Sequence, residues 1–256
     1  MRYILLLICA FSFSTCFGQD ELKNLENAYK NKSQSQYDQF LEHWRSESIP
    51  ITSLDSLGKL QKDVYEIFIN FYNPFNLQRI GTGEWGDKLY SDIDYVIIQN
   101  TIFIYTYKTD SLNFHVFADT DSLVLSKDSI MNFRPKIEFE QAKTLYLLPK
   151  YDLVINKFLG SKNFPLGAGG IMNPSRARGQ SAKRLEFMNK KLNIIHGHWG
   201  GYWHIETHPE VFSVDFNNDR TIAKVNYRLV YQGGEATYIK ENGKWTLKDA
   251  HLTWIE

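Results

Sequence analysis

Residues 221–254 read TIAKVNYRLVYQGGEATYIKENGKWTLKDAHLTW, and this stretch decides the fold. Within residues 223–229 the odd positions are apolar, whereas the even positions are Lys224, Asn226 and Arg228. Alternation with a period of two is typical of a strand that buries one face. The segment therefore predicts a strand with one apolar and one polar side.

Glycines mark the turns of this stretch. Asn242-Gly243 favours a two-residue hairpin turn, and Gly233-Gly234 predicts a bulge or bend. Strands are therefore expected over residues 221–231, 235–240 and 244–254. Together they predict an antiparallel meander.

The segment before the meander predicts a helix and another strand. Ser181 is a good helix cap, and the residues at helical spacing behind it are Leu185, Met188, Leu192 and Ile195. Residues 202–216 predict a long strand that Pro209 interrupts. The last third of the chain is therefore expected to be a helix packed on a curved antiparallel sheet.

This C-terminal part resembles the nuclear-transport-factor-like, or cystatin-like, α+β cone fold. The residues that carry the resemblance are Gly233-Gly234-Glu235-Ala236, the turn Asn242-Gly243-Lys244-Trp245, and Trp254. It covers residues 181–256. The family contains isomerases, dehydratases and ligand binders, so the resemblance implies a fold and leaves the reaction open.

The N-terminal half predicts a mixture of helices and strands. Helical spacing of apolar residues predicts helices over 20–31, 35–46 and 56–72, and a helix over 140–159 that Pro149 divides. Strand-forming residues predict strands over 95–107, 114–118, 122–125 and 136–139. The whole chain is therefore expected to be α+β, with a domain over 19–163, a glycine- and proline-rich linker over 164–180, and a cone-like domain over 181–256.

Residues 1–18 have the pattern of a signal peptide. Arg2 precedes an apolar run over residues 4–13, and Gly18 supplies a small residue before a cleavage point. An exported protein, periplasmic or extracellular, is therefore expected. The only cysteines, Cys9 and Cys16, lie in this segment, and Cys16 leaves lipid anchoring open as an alternative.

Composition narrows the class of partner. Of 256 residues, 43% are hydrophobic and the formal net charge is zero. A nucleic-acid surface needs a basic excess to neutralise phosphates, so nucleic acid is excluded as a partner. After signal removal no further segment is apolar enough to span a membrane. A small molecule or a protein remains as the expected partner.

Histidines cluster in the sequence HGHWGGYWHIETH, residues 196–208. Written as a strand, it places His204, Glu206 and His208 on one face. These three side chains are candidates for acid–base catalysis, and zinc accepts ligands of the same types. The candidate metal ligands are His196, His198, His204 and His208. The alternative is a solvated strand face that needs no cofactor, since the spacing matches no established zinc motif.

Two further groups of residues are candidates for a site. His251 with Asp249 would form a second acid–base pair, and Asp215 on a neighbouring strand would orient an imidazole. The alternative is that these polar side chains lie on the solvated outer face of a twisted sheet. Aromatic side chains would line a cavity for a ligand or form the core of the sheet, namely Trp203, Tyr227, Trp245 and Trp254.

Three classes of function follow from these patterns. The first is a non-catalytic exported protein that binds a small ligand or a partner protein. The second is a metal-dependent or acid–base enzyme that uses the histidine cluster. The third is a structural component of the cell envelope.

Overall fold

The computed structural model describes residues 19–73, 93–110, 121–160, 180–192, 195–196, 203–204, 209–229 and 232–255. Within these ranges the chain is α+β, which confirms the predicted fold class. The helices are α1 (residues 19–30), α2 (Gln34–Glu47), α3 (Lys59–Phe71), α4 (Pro149–Leu159) and α5 (Gln180–Met188). No helix among these combines the length and the apolar character that a membrane crossing requires.

The strands form one large sheet and two small pairs. Their bounds are β1 Tyr95–Ile98, β2 Thr101–Tyr107, β3 Val124–Met131, β4 Lys143–Tyr146, β5 Ile195–His196, β6 Trp203–His204, β7 Glu210–Phe216, β8 Ile222–Leu229, β9 Gln232–Glu241 and β10 Lys244–Ile255. The order in the large sheet is β10-β9-β8-β7-β2-β3. Strand β1 pairs with β4 in parallel, and β5 pairs with β6 antiparallel.

The C-terminal meander forms as its sequence predicts. Strands β7 to β10 pair antiparallel with their neighbours in chain order. Asn242 and Gly243 have φ angles of 50° and 80°, which are the left-handed values that a type I′ hairpin requires. The hairpin between β9 and β10 is therefore fixed by local backbone preference.

The large sheet contains strands from both predicted domains. Strand β2 pairs in parallel with β7, with Ile104 opposite Val214. Gln99 reinforces this junction, because its amide oxygen accepts from Val211 N–H and its amide nitrogen donates to Val211 C=O, each at 2.8 Å. The segments on either side of residues 164–180 are therefore hydrogen-bonded into one sheet.

Helix α3 covers one face of this sheet. Its residues Val64, Ile67, Phe68 and Phe71 belong to the same core cluster as the inward side chains of β7 to β9. The rings of Phe71 and Tyr227 lie 5.3 Å apart. Fully burying a large apolar side chain contributes about 1.5–3 kcal/mol, so this layer is a main source of stability.

The other helices pack around a second core. In this core Trp44 stacks on Tyr151 with ring centroids 4.7 Å apart, and Tyr37 donates to the Met188 carbonyl at 2.9 Å. Phe187 and Met188 place α5 here. The sheet is covered by a helix, as predicted, but that helix is α3 and comes from the N-terminal half.

Several predicted element positions are wrong. Residues 143–146, predicted as helix, form β4, because pairing with the buried strand β1 overrides the helical spacing. Residues 136–139 form no regular strand. The predicted strand over 95–107 is two strands, and the strand predicted at 122–125 begins at Val124 after a 3₁₀ turn. The predicted strand over 114–118 lies outside the described residues.

Candidate functional site

The face of the sheet opposite α3 carries buried polar and charged side chains. We call this set the polar face, and its members are Glu210, Ser213, Asp215, Lys224, Asn226, Arg228 and Glu235. None of them is more than 8% exposed. Buried charged groups are uncommon in proteins unless they are paired or serve a ligand. The polar face is therefore the candidate functional site.

A bulge in β7 brings the polar residues of that strand to one face. Val211 lies opposite Tyr227, but Ser213 lies opposite Asn226, so Phe212 is an extra residue in the ladder. A bulge of this type reverses the alternation of side chains along a strand. As a result Ser213 shares its face with Glu210, although simple alternation would place them on opposite sides.

The centre of the site is a hydrogen-bonded group of three side chains. Asn226 donates from Nδ2 to Ser213 Oγ and to Asp215 Oδ2, each at 2.8 Å. Asp215 Oδ1 and Asn226 Oδ1 are also buried, and neither accepts a hydrogen bond from the described residues. Two buried acceptor oxygens of adjacent side chains therefore lack a donor within the described residues.

The pKa of Asp215 follows from this setting. Burial raises it from 3.8 to about 6, whereas hydrogen bonds from Ser213 and Asn226 and the charge of Lys224 oppose the rise. A carboxyl group in this range changes its charge near neutral pH. Asp215 can therefore take up or release a proton when a charged group enters the site.

Lys224 and Glu235 form an ion pair beside this centre. Lys224 Nζ lies 2.7 Å from Glu235 Oε2, and both side chains are about nine-tenths buried. The geometry is that of a charge-assisted hydrogen bond. Lys224 lies opposite Asp215 in the strand register, but its ammonium group is directed to Glu235.

Glu210 and Arg228 form the next row of the polar face. They lie opposite each other in the register, and Glu210 is fully buried. Burial raises the pKa of Glu210, and the positive charge of Arg228 opposes that rise. The row brings an acidic and a basic group together at the start of β7.

Trp254 lies next to Arg228 at the end of this row. The guanidinium carbon of Arg228 lies 6.0 Å from the centroid of the Trp254 ring, within the range of a cation–π contact. The indole also lies across Gly233, where an added Cβ would be 1.9 Å from Trp254 Cε2. Gly233 therefore has to lack a side chain for Trp254 to reach the polar face.

The polar face becomes exposed at strand β10. His251 Nδ1 and Asp249 Oδ2 lie 3.1 Å apart with more than half of each side chain exposed, and the acid–base role of this pair stays a prediction. His251 lies opposite Glu235 in the register. The buried array thus reaches solvent at this edge.

Two of the predicted aromatic ligand contacts lie in the core. Tyr227 and Trp245 are 1% and 4% exposed and belong to the cluster beneath α3. Trp245 Nε1 donates to Asp63 Oδ1 at 3.1 Å, which ties the sheet to α3. Packing explains both side chains, whereas Trp254 reaches the polar face and the side chain of Trp203 lies outside the described part of the chain.

The histidine segment is described only in part. Ile195–His196 pairs with Trp203–His204, with His196 opposite Trp203. The predicted site residues His198, Glu206 and His208 lie outside the described residues. Elsewhere in the described ranges, no group of three His, Cys, Asp or Glu side chains is arranged to hold a metal ion. The zinc and acid–base roles of residues 196–208 stay predictions.

Comparison of the chain with protein-family models, curated proteins and solved structures finds no match. The resemblance to the cone fold therefore stays a prediction.

Sequence reasoning found part of the polar face. The alternation in β8 identifies Lys224, Asn226 and Arg228 as one polar side, and the sequence also predicts Asp215 as a partner for an imidazole. Glu210, Ser213 and Glu235 were missed. Glu210 and Ser213 are separated by an odd number of positions, so regular strand alternation would place them on opposite faces. Only the bulge between them places both on the same face.

Proposed function

We propose that this is an exported, non-catalytic protein that binds a small polar ligand on the polar face of its sheet. The observation that carries the proposal is the pair of buried acceptor oxygens, Asp215 Oδ1 and Asn226 Oδ1, which receive no hydrogen bond from the described residues. A ligand with hydrogen-bond donors would satisfy both.

Energetics support a ligand at this position. A buried acceptor without a donor costs about 1–3 kcal/mol, and two adjacent ones double that cost. The surrounding groups are already held in place, because Asn226 is fixed by two hydrogen bonds and Lys224 by its ion pair. A site whose polar groups are ordered in advance loses little entropy when a ligand binds.

The part of the proposal that concerns export rests on residues 1–18. A basic residue, a short apolar run and a small residue before the cleavage point are the features of a secretory signal. Expression of the full chain in a bacterial host and mass spectrometry of the periplasmic fraction would test it. A mature protein that starts near Gln19 is expected, and an uncleaved chain in the cytoplasm would contradict export.

A ligand screen tests the binding function. Thermal unfolding of the mature protein would be measured with amines, amino acids, sugars, polyols and carboxylic acids. At least one compound should raise the unfolding midpoint of the natural protein and of Asp128→Asn, an exposed variant in the edge strand β3. It should not do so for Asn226→Leu. If no compound raises the midpoint, or if Asn226→Leu responds equally, the proposal is rejected.

A further inference from the structure

The described residues of the polar face carry one more acidic than basic side chain. Among the described residues the face carries three acidic side chains, Glu210, Asp215 and Glu235, and two basic ones, Lys224 and Arg228. Lys224 is in contact with Glu235, and Arg228 lies opposite Glu210. Asp215 is held by neutral partners, the Asn226 amide and the Ser213 hydroxyl.

The orientation of Asn226 decides what the site offers. Its amide nitrogen has to face Asp215 Oδ2, because the reverse orientation would place an amide oxygen against a carboxylate oxygen. The amide oxygen is thereby left as a second acceptor beside Asp215 Oδ1. In the part of the chain that the structure describes, the two unsatisfied positions at the centre are therefore both acceptors.

An ammonium group matches this arrangement better than other small polar groups. It carries three donors, no acceptor and one positive charge. A hydroxyl brings a single donor and no charge, and a carboxylate brings only acceptors and would be repelled by Asp215. Hydrogen bonds to charged groups are also stronger than those between neutral groups.

We propose that the polar face recognises the ammonium group of a primary amine, with Asp215 Oδ1 and Asn226 Oδ1 as its acceptors. This inference rests on the ligand-binding function proposed above and specifies the class of ligand. Lys224 does not fill the position itself, since its ammonium group is bonded to Glu235. The ligand would complete the charge balance of the face.

The ionisation of Asp215 agrees with this assignment. Its pKa of about 6 means that it is largely ionised at neutral pH and ready to pair with a cation. The charged groups that act on Asp215 lie on one side of β7: Lys224 in the adjacent strand β8 lowers its pKa, and Glu235 in β9, one strand further away, raises it. Tyr105 is its register partner in β2 on the other side.

Isothermal titration calorimetry with three probes of equal length tests the inference. The probes are 1-aminobutane, 1-butanol and butanoate, which differ only in the head group. The amine should bind with an association constant at least about tenfold higher than that of the alcohol, and butanoate should not bind. Equal or tighter binding of the alcohol or of butanoate would overturn the assignment.

Variants locate the binding. Asp215→Asn should lower the association constant of 1-aminobutane at least about tenfold, because it removes the charge with little change in shape. Asp128→Asn, which removes an exposed carboxylate from the edge strand β3, should leave it unchanged. If Asp215→Asn fails to fold, the natural protein supplies the test, since amine affinity should fall as pH is lowered through 6. Amine affinity that is the same at pH 5 and pH 7 would contradict the assignment.

The two proposals can fail separately. If the screen finds a neutral or anionic ligand whose effect depends on Asn226, the binding function stands and the ammonium assignment falls. If no compound of any class binds, both fall.

Discussion

Lys224 Nζ and Glu235 Oε2 lie 2.7 Å apart across neighbouring strands, in a part of the sheet where both side chains are almost completely buried. Such a pair adds little net stability when it is intact, since desolvation offsets most of the attraction between the charges. The pair places an ammonium group and a carboxylate on the same face of the sheet as Asp215.

Removal of one partner of this pair should be strongly destabilising. Lys224→Met leaves Glu235 buried without its cation, and we expect the free energy of unfolding to fall by about 3–5 kcal/mol. The double variant Lys224→Met with Glu235→Leu should lose much less, since neither charge remains. Urea denaturation measures both, with Lys248→Met in exposed β10 as the control. Equal losses in the single and the double variant would show that the pair is not coupled.

The stability of the protein should depend on the ionisation of Asp215. Its pKa is about 6 in the folded protein against 3.8 in the unfolded chain, so the folded state binds more protons between these values. The contribution of Asp215 to the free energy of unfolding is therefore greatest below pH 3.8. It is lost as pH rises through 6, which lowers the free energy of unfolding by roughly 3 kcal/mol. Asp215→Asn should remove this part of the pH dependence.

Denaturation at pH 4 and pH 7 measures the effect of Asp215. The other buried carboxyl groups with raised pKa values, Glu210 and Asp152, contribute with the same sign in both proteins, so the difference between natural protein and variant isolates Asp215. Asp249→Asn, which is exposed, should follow the natural protein. A variant with an unchanged pH dependence would mean that Asp215 titrates normally.

Gly233→Ala should displace Trp254 from the polar face. The new methyl group would lie 1.9 Å from Trp254 Cε2, so the indole has to move and its contact with Arg228 is lost. Overpacking of this kind costs about 1–3 kcal/mol. Gly58→Ala, where no atom lies within 4 Å of the added Cβ, is the matched control.

A double-mutant cycle tests the cause of that loss. In the background Trp254→Ala, the cost of Gly233→Ala should shrink by at least about 1 kcal/mol, because the clashing ring is absent. If the effects of Gly233→Ala and Trp254→Ala on the free energy of unfolding were additive, the cost of Gly233→Ala would come from backbone strain and not from the clash with the indole.

Trp245→Phe distinguishes a core role from a ligand-binding role. The change removes the donor to Asp63 Oδ1 and should lower the free energy of unfolding by about 1–3 kcal/mol. Affinity for any ligand identified in the screen should stay unchanged, since Trp245 lies on the α3 side of the sheet. Loss of ligand affinity without loss of stability would instead show that Trp245 contacts the ligand.

The sequence by itself determined the local features of the C-terminal sheet. The alternation over residues 223–229 places Lys224, Asn226 and Arg228 on one side, because a strand repeats every two residues wherever it pairs. Asn242-Gly243 determines the hairpin, since few other dipeptides tolerate positive φ at both positions. These properties depend on residues close together in the chain and can be predicted without knowledge of the rest of the molecule.

Tertiary structure decided what lies on each side of that sheet. Residues 143–146 become a strand because β1 is there to pair with them, and α3 rather than α5 covers the core face. The extra residue at Phe212 is defined only by the register of β7 against β8, and it brings Ser213 and Asp215 beside Asn226. Pairing between distant segments depends on which surfaces fit together once the chain has collapsed, and short-range spacing carries no information about that fit.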